Sequence, residues 1–261
     1  MGGISRTMVL NSDLTKSYIK IIEDIVLQDK DFKSSYECNG IKVPRVTSVL
    51  GRTIHDDFLM YWANSLGFKR QSYRKVLNHA ANIGTEVHNY LAKLITNSPN
   101  LEPGHDLLQE SVNCIESFET WWRMLNDKHK VTVLGSEKTL TCPYFGGTYD
   151  LLLSVDDRIF LMDFKTSNQV SFKYFLQLAA YRYLLWYCEG IEVDGFTILR
   201  MDKRDSVFEV VHCDMNIPEQ AEFMEYCHQM FFSLLTSYNY ILNMENKFKD
   251  IYKELKWSNA F

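Results

Sequence analysis

Three charged residues occupy the most apolar part of this sequence. Asp150, Asp163 and Lys165 lie in the segment "GGTYDLLLSVDDRIFLMDFKTSNQ", residues 146–169, which otherwise has the pattern of two adjoining strands. Burying a charge is costly unless an opposite charge pairs with it or a metal ion binds it. These three groups therefore form either an internal ion pair or a functional site.

The spacing of the two aspartates suits a divalent cation. Asp150 lies near the start of one predicted strand and Asp163 near the end of the next, and these ends meet in a hairpin. Adjacent carboxylates repel each other, and a hard ion such as Mg²⁺ or Mn²⁺ relieves that repulsion. Lys165 follows Asp163 by two residues, so its ammonium group leaves the same face of the strand. A cation and an ammonium group on one face can hold a phosphate and activate a water.

The elements that must position these groups begin with helices. Helical spacing of apolar residues occurs in "DLTKSYIKIIEDIVLQDKDF", from Asp56 to about Leu94 with a break near "SLGFKR", and over residues 106–127. "YECNGIKV" predicts a short hairpin that turns at Asn39-Gly40. "VPRVTSVLG" is expected to be an extended segment running into a turn.

From residue 131 the pattern changes to strands. "VTVLGSEKTL", "GTYDLLLSV" and "RIFLMDF" predict three strands, with Asp156-Asp157 as the turn between the last two. "SFKYFLQLAAYRYLLWYCEG" predicts a helix that stops at Gly190, and "GFTILRM" and "SVFEVVHC" predict two further strands. Asn216 as N-cap and Pro218 in the first turn would open the last helices, which run to about Trp257.

This order of elements predicts an α/β fold, with a small mixed central sheet flanked by helices and an N-terminal helical lobe. We expect a single domain over residues 1–261. Its parts would be the helical lobe 1–130, the sheet and its helix 131–215, and the C-terminal helices 216–261.

The composition indicates where in the cell the protein is expected. The chain is 46% hydrophobic and 23% charged, which is typical of a globular protein, and no run approaches 18 apolar residues, so no membrane contact is expected. The N-terminus lacks the apolar core of a secretory signal. The six cysteines are far apart and form no C-x-x-C, which predicts free thiols and no iron–sulfur cluster. We expect a cytoplasmic protein, in the host cytoplasm if it is viral, with an organelle as the open alternative.

The charge is unevenly distributed along the chain. The net charge is −5, yet residues 1–100 contain 13 Lys and Arg against 9 Asp and Glu, while residues 101–261 contain 15 against 24. A basic front lobe on an acidic body is compatible with a protein that grips DNA locally.

Several motifs carry a family resemblance. "GGTYD…MDFK" resembles the D…(D/E)-x-K signature of the PD-(D/E)XK nuclease superfamily. "GTEVHNYL", "GSEKTL" and "QLAAY" are similar to the G-x-x-x-H helix, the acidic strand and the Q-x-x-x-Y helix of its RecB-type branch. "VPRVTSVLG" resembles the S-V-T-x-x-L segment of phage exonucleases and the mitochondrial genome maintenance exonuclease, with Arg45 in place of one Ser.

The resemblance implies a restriction-endonuclease-like core and a metal-dependent DNA exonuclease that acts on single strands or DNA ends in replication, recombination or repair. It implies that His88, Asp150, Asp163 and the main-chain carbonyl of Phe164 bind Mg²⁺ or Mn²⁺, with Glu137 at a second position. Lys165 would orient the water, and the i, i+4 pair Gln177 and Tyr181 would hold Lys165 and the scissile phosphate, so that cleavage leaves a 5′-phosphate. Whether one or two metals act stays open.

Basic and hydroxyl side chains predict where DNA lies. Guanidinium, ammonium and hydroxyl groups commonly contact phosphates, and aromatic rings stack on bases. The candidate DNA-binding residues are Arg45, Thr47, Ser48, Arg52, Lys69, Arg70, Tyr73, Arg74 and Lys75. The alternative for residues 67–75 is a solvated helix face.

Two other functions stay open on the same residues. One is a structure-specific endonuclease on this fold, and the other is a nucleic-acid-binding module that does not cleave. DNA is the expected partner in each case, and replication or recombination proteins are further candidate partners. The sequence leaves the oligomeric state undetermined.

Overall fold

The computed structural model of this protein describes residues 13–26, 35–55, 57–96 and 107–255. The elements before the central sheet are α1 (Asp13–Val26), β1 (Ser35–Cys38), β2 (Ile41–Pro44), α2 (Val46–Thr53), α3 (Asp57–Phe68), α4 (Tyr73–Ile95) and α5 (Gln109–Lys128). The sheet and its helices follow as β3 (Val131–Thr141), β4 (Gly146–Val155), β5 (Arg158–Lys165), α6 (Phe172–Glu189), β6 (Gly195–Met201), β7 (Phe208–Asp214) and α7 (Pro218–Leu255).

The central sheet has five strands in the order β3-β4-β5-β6-β7. Strands β5 and β6 are parallel and the other neighbours are antiparallel. The parallel pair needs a crossover, which α6 supplies, because two parallel strands cannot be joined by a tight turn. The predicted small mixed sheet flanked by helices is therefore confirmed.

Both predicted hairpin turns are present. Asn39 and Gly40 join β1 to β2 with φ values of 51° and 80°, and Asp156 and Asp157 join β4 to β5 with φ values of 49° and 65°. Positive φ at both central residues defines the turn whose twist matches the flanking strands, and Asn, Asp and Gly tolerate it best.

Each face of the sheet is covered by a different group of helices. Alternate residues of β4 and β5 point to opposite sides. Leu151, Leu153 and Met162 belong to the core that the sheet shares with α4 and α5, whereas Leu152 and Leu161 belong to the core shared with α1, α2, α6 and α7. The near-continuous apolar run of these strands follows from burial on both faces.

The predicted limits of the α6 helix agree with the structure. The Ser171 side chain accepts a hydrogen bond from the Lys173 main-chain N–H at the N-terminus, and Gly190 ends the helix with a φ of 67°. A left-handed residue directly after a helix is the usual position of glycine, since its missing Cβ removes the steric penalty.

The prediction for the segment "VPRVTSVLG" was wrong. The residues after Arg45 are not extended, because they form α2. The main-chain N–H groups of Ser48 and Val49 donate to the Arg45 carbonyl, and Val46, Val49 and Leu50 are buried at helical spacing. Its β-branched residues favour strands only when a neighbouring strand is available.

The C-terminal part also differs from expectation. Instead of several helices opened by Asn216, one 38-residue helix begins at Pro218, and the Ile217 carbonyl accepts the first helical hydrogen bonds from Gln220 and Ala221. Proline at the first helical position is confirmed and fits its fixed φ. No helix within the described ranges is both long and apolar enough to cross a membrane.

Candidate active site

The candidate site lies where β4 and β5 separate. Their pairing runs from Val155 opposite Arg158 to Leu151 opposite Met162, and beyond this point β4 pairs only with β3 and β5 only with β6. Asp150 and Asp163 are the first residues past the separation, which we call the fork (residues 150 and 163–165). The Asp150 Oδ2 accepts the Phe164 main-chain N–H at 2.6 Å, in place of a ladder hydrogen bond. The two carboxylates therefore meet as predicted.

Lys165 and Asp163 form a buried ion pair in the fork. Lys165 Nζ donates to Asp163 Oδ1 at 2.6 Å and lies 2.5 Å from Oδ2, and the Asp163 residue is only 1% exposed. The Oδ2 atom is buried and accepts no hydrogen bond of regular geometry from the described residues, yet its distance to Nζ shows that both oxygens of Asp163 contact the ammonium group.

Helix α4 brings His88 to the fork from the opposite layer. Its Nε2 lies 3.1 Å from the Phe164 carbonyl oxygen, and its Nδ1 lies 3.4 Å from both Glu137 Oε1 and Asp150 Oδ1. One imidazole therefore contacts two carboxylates and the main-chain carbonyl that the sequence singled out.

Glu137 has an unusual backbone conformation. It lies opposite Asp150 in the β3–β4 pair, between Ser136 opposite Leu151 and Lys138 opposite Tyr149, and its φ is +47°. Few residues other than glycine adopt a positive φ, and such residues cluster at functional sites. The backbone departs from the regular strand where the Glu137 carboxylate reaches His88.

The donor atoms fit a hard divalent ion. One ligand atom from each of His88, Glu137 and Asp150 lies within 4.8 Å of the others, and within the described ranges this is the only trio of His, Cys, Asp and Glu that does so. Carboxylate and carbonyl oxygens with one imidazole suit Mg²⁺ or Mn²⁺. Asp163 lies outside this trio because its carboxylate pairs with Lys165.

Electrostatics explain why these charges are tolerated. Burial lowers the pKa of His88, but Asp150 and Glu137 outweigh it and raise the pKa to about 10. Burial raises the pKa of Asp163 to about 6, against the opposing effect of Lys165. Burial also disfavours the Asp150 carboxylate, yet His88 and Lys165 hold its pKa below the ordinary value. The site therefore attracts positive charge.

Helix α6 supports Lys165 from the other side. Gln177 accepts a weak hydrogen bond from Lys165 Nζ at 3.5 Å and donates to the Tyr181 hydroxyl at 2.9 Å. The ammonium group also lies 4.8 Å from the centre of the Tyr174 ring. The predicted pair at i and i+4 does face the fork, and Tyr174, three residues before Gln177, is a neighbour that the motif did not indicate.

Gly147 is a second residue that the sequence reasoning missed. A Cβ atom on Gly147 would lie 2.3 Å from Cε1 of Tyr181, so only glycine lets the ring pack against β4. The repeated glycine of "GGTYD" was the available signal, since glycine inside a strand often marks a close approach.

Arg45 lies beside the fork. Its guanidinium is exposed and stacks 5.1 Å from the centre of the Tyr36 ring, and the Tyr36 hydroxyl contacts Thr148 Oγ1 at 2.9 Å. Thr148 precedes Asp150 by two residues, so both side chains leave the same face of β4. Thr47 is exposed and Ser48 is half-buried, both on α2.

The remaining predicted DNA contacts are farther away or already paired. Arg52 forms an ion pair with Glu245 of α7. Lys69, Arg70, Tyr73, Arg74 and Lys75 form the corner between α3 and α4, where the four basic side chains are exposed and the Tyr73 ring packs on Trp62. Tyr73 and His88 lie at two places on α4 that are about 22 Å apart, so this corner is separate from the fork.

The five-stranded mixed sheet with helices on both faces is that of a nuclease core. A family model of the PD-(D/E)XK nuclease superfamily matches residues 32–235, and the chain belongs to this superfamily. No curated protein matches the chain significantly. Among solved structures, the crystal structure of SSO0001 aligns with 86% of this chain and 87% of its own at 12% identity and a TM-score of 0.34, which supports no further conclusion.

Proposed function

We propose that this nuclease is a divalent-metal-dependent DNA exonuclease that acts on single strands or DNA ends in replication, recombination or repair. One observation carries the proposal. Asp150, Asp163 and Lys165 from the sheet converge with His88 from α4 in a single buried fork. A structural ion pair would need only one carboxylate per cation, whereas here three carboxylates, those of Asp150, Asp163 and Glu137, face two cations, Lys165 and the protonated His88.

The proposed ligands are side chains and one carbonyl of the fork. His88, Asp150, Asp163 and the Phe164 carbonyl would hold Mg²⁺ or Mn²⁺, and Glu137 would serve a second position. When bound, such an ion supplies Lewis acidity toward a phosphate oxygen and lowers the pKa of a water. His88 must give up a proton to become a ligand, so metal binding and proton release are coupled.

Lys165 would act on the reacting atoms. Its pKa is raised because Asp163 and Asp150 outweigh the effect of burial, so the ammonium group stays charged. It would orient the attacking water and stabilise the negative charge that develops on the phosphate. Gln177 and Tyr174 would restrict its position, and attack in line with the leaving group would leave a 5′-phosphate.

The preference for DNA ends rests on the RecB-type motifs. The residues of two of these motifs, His88 and the pair Gln177 and Tyr181, lie around the fork. Arg45, stacked on Tyr36 beside Thr148, offers a phosphate contact next to the site. The exposed cations of the α3–α4 corner would bind the strand farther away.

The test uses end-labelled linear single strands, duplexes and a closed circular single strand, with Mg²⁺, Mn²⁺ or a chelator. We expect the parent protein to degrade linear substrates only when a divalent ion is present. Asp163→Asn and Lys165→Met should abolish cleavage while DNA binding survives. The matched controls Asp205→Asn and Lys128→Met change exposed residues of the same types and should cleave like the parent protein.

Each outcome has a distinct meaning. Cleavage by Asp163→Asn or Lys165→Met at the parental rate would refute the proposed catalytic site. Cleavage of the closed circle would assign an endonuclease instead of an exonuclease. Binding without metal-dependent hydrolysis by the parent protein would assign a non-cleaving module.

A further inference from the structure

Helix α7 presents an apolar stripe to solvent. Its members have exposed fractions between 40% and 68% and lie on one face in two groups of three, each spaced by three or four residues: Phe223, Tyr226 and Met230, then Tyr240, Met244 and Phe248. The stripe extends over about 40 Å of the helix. Within the described residues, Phe223 at one end packs edge-to-face on Phe175 of α6 with ring centres 5.2 Å apart, and all six side chains remain at least 40% exposed. A stripe of this length is typical of a helix that pairs with another helix.

The two halves of the stripe have the same composition, with the Met and the Tyr exchanged in order. Two small exposed residues, Ser233 and Ser237, occupy its centre. Going outward from them, each half contains one Met and one Tyr and ends in one Phe. A surface with this property is complementary to itself under a two-fold rotation, which is the symmetry of the commonest dimers.

We propose that α7 pairs in antiparallel orientation with α7 of a second copy of this chain. A two-fold axis near residue 235 would set Met230 against the partner's Tyr240 and Tyr226 against the partner's Met244. Sulfur–aromatic contacts of this kind are favourable. The two serines would meet at the axis, where small side chains allow the helices to approach closely.

Charges at the edge of the stripe favour the antiparallel direction. Glu222 and Lys247 are exposed and lie along the same edge of the helix. In an antiparallel pair, positions on the same edge face each other, so Glu222 would lie opposite the partner's Lys247. In a parallel two-fold pair the same edge of the two helices lies on opposite sides of the contact, so the pairing of Glu222 with the partner's Lys247 would be lost.

The available area is sufficient for a dimer. A fully buried aromatic side chain removes about 150–250 Å² from water, so four half-exposed rings contribute roughly 400 Å². The two methionines and the flanking side chains bring the total to roughly 700 Å² for each chain, close to the ~800 Å² per partner of a standard interface. The fork lies on the opposite side of α6 from α7, so dimerisation leaves the site open.

Sedimentation velocity over a range of protein concentrations tests the pairing. We expect the parent protein to sediment with twice the mass of one chain. Met244→Glu should weaken the dimer by about tenfold or more, because the charge would be buried against Tyr226 of the partner subunit. The control Met124→Glu alters a comparably exposed methionine on α5 and should stay dimeric. Met124→Glu should unfold at the parental temperature, and Met244→Glu should unfold below it only by the stabilisation lost with the dimer.

Exchanging the charges of Glu222 and Lys247 tests whether the two α7 helices pair in antiparallel orientation. Glu222→Lys and Lys247→Glu should each raise the dissociation constant by about two- to fivefold, and the double variant should restore it. A parent protein that stays monomeric at all concentrations would overturn the proposal, and so would a Met244→Glu variant that dimerises like the parent. Strengthening by Glu222→Lys alone would overturn the antiparallel arrangement.

Discussion

Two histidines of this protein, the partly buried His88 and the buried His228, have opposite electrostatic environments. Burial alone lowers the pKa of an imidazole. At His88 the neighbouring carboxylates Asp150 and Glu137 reverse this effect, and the pKa is raised to about 10. At His228 of α7, burial dominates, the Arg182 guanidinium adds to it, and the pKa falls to about 3. The difference shows that the charge of the neighbours, and not burial, distinguishes a cation-attracting site from a packed interior.

The two clusters lie on opposite sides of α6. Tyr181 points to the fork, and the next residue, Arg182, points to α7, where it forms an ion pair of 2.7 Å with Glu225. His228 contacts Thr15 of α1 at 3.1 Å and packs against the ring of Phe232. The α7 cluster therefore balances one cation with one anion, whereas at the fork three carboxylates, with Glu137 counted, face Lys165 and the protonated His88.

Replacing His88, which contacts the fork from α4, should produce the largest of the following effects. His88→Ala should reduce cleavage by about 10³-fold, because a ligand that helps to place the metal is lost. Raising the Mn²⁺ concentration should restore part of the activity. The measurement is the rate of nucleotide release from a labelled strand.

His79→Ala is the matched control for this change. His79 lies on the same helix, is half-exposed and contacts Glu110. Its variant should cleave like the parent protein. Parental activity in His88→Ala would show that the electrostatic difference between His88 and His228 has no consequence for cleavage.

Breaking the ion pair behind α6 should affect stability instead of cleavage. Arg182→Met should lower the free energy of unfolding by about 3 kcal/mol, because the guanidinium is buried and Glu225 loses its partner. Urea unfolding measures the change. Arg123→Met, at an exposed position of α5, should stay within about 0.5 kcal/mol of the parent. A large loss of metal affinity in Arg182→Met would contradict the separation of the two clusters.

The pH dependence of stability should depend on His228. The unfolded imidazole takes up a proton below about pH 6.5, while the folded one resists protonation down to a pKa of about 3. Between these values the unfolded state binds more protons, so the free energy of unfolding falls as the pH falls, by up to about 1.4 kcal/mol per pH unit.

Replacing His228 isolates this contribution. His228→Leu should show a shallower loss of stability than the parent protein between pH 6.5 and pH 4, measured by urea unfolding at each pH. The comparison between the two proteins cancels the carboxylates that titrate in the same range. Identical slopes would show that His228 takes up a proton in the folded state as easily as in the unfolded state.

The smallest effect is expected at the α3–α4 corner. Arg74→Ala should weaken DNA binding by about two- to fivefold and reduce the salt dependence by about one counterion, with no change in the cleavage rate of bound DNA. Fluorescence anisotropy at several salt concentrations measures it. An unchanged salt dependence would place this corner outside the DNA path.

The sequence alone determined which strands carry Asp150, Asp163 and Lys165, and it predicted the chemistry of the fork. Local rules were sufficient, because alternation put Asp163 and Lys165 on one face, a two-residue turn joined β4 to β5, and helical spacing aligned Gln177 with Tyr181. The family signature "GGTYD…MDFK" added the superfamily that the family model confirms.

Only the tertiary structure decided what depends on contacts between distant segments. The helix α2, the single helix α7, the close fit of Gly147 against Tyr181 and the opposite pKa shifts of His88 and His228 all arise from partners far away in the chain. Packing and electrostatic effects depend on distances in space, and no local pattern in the sequence encodes those distances.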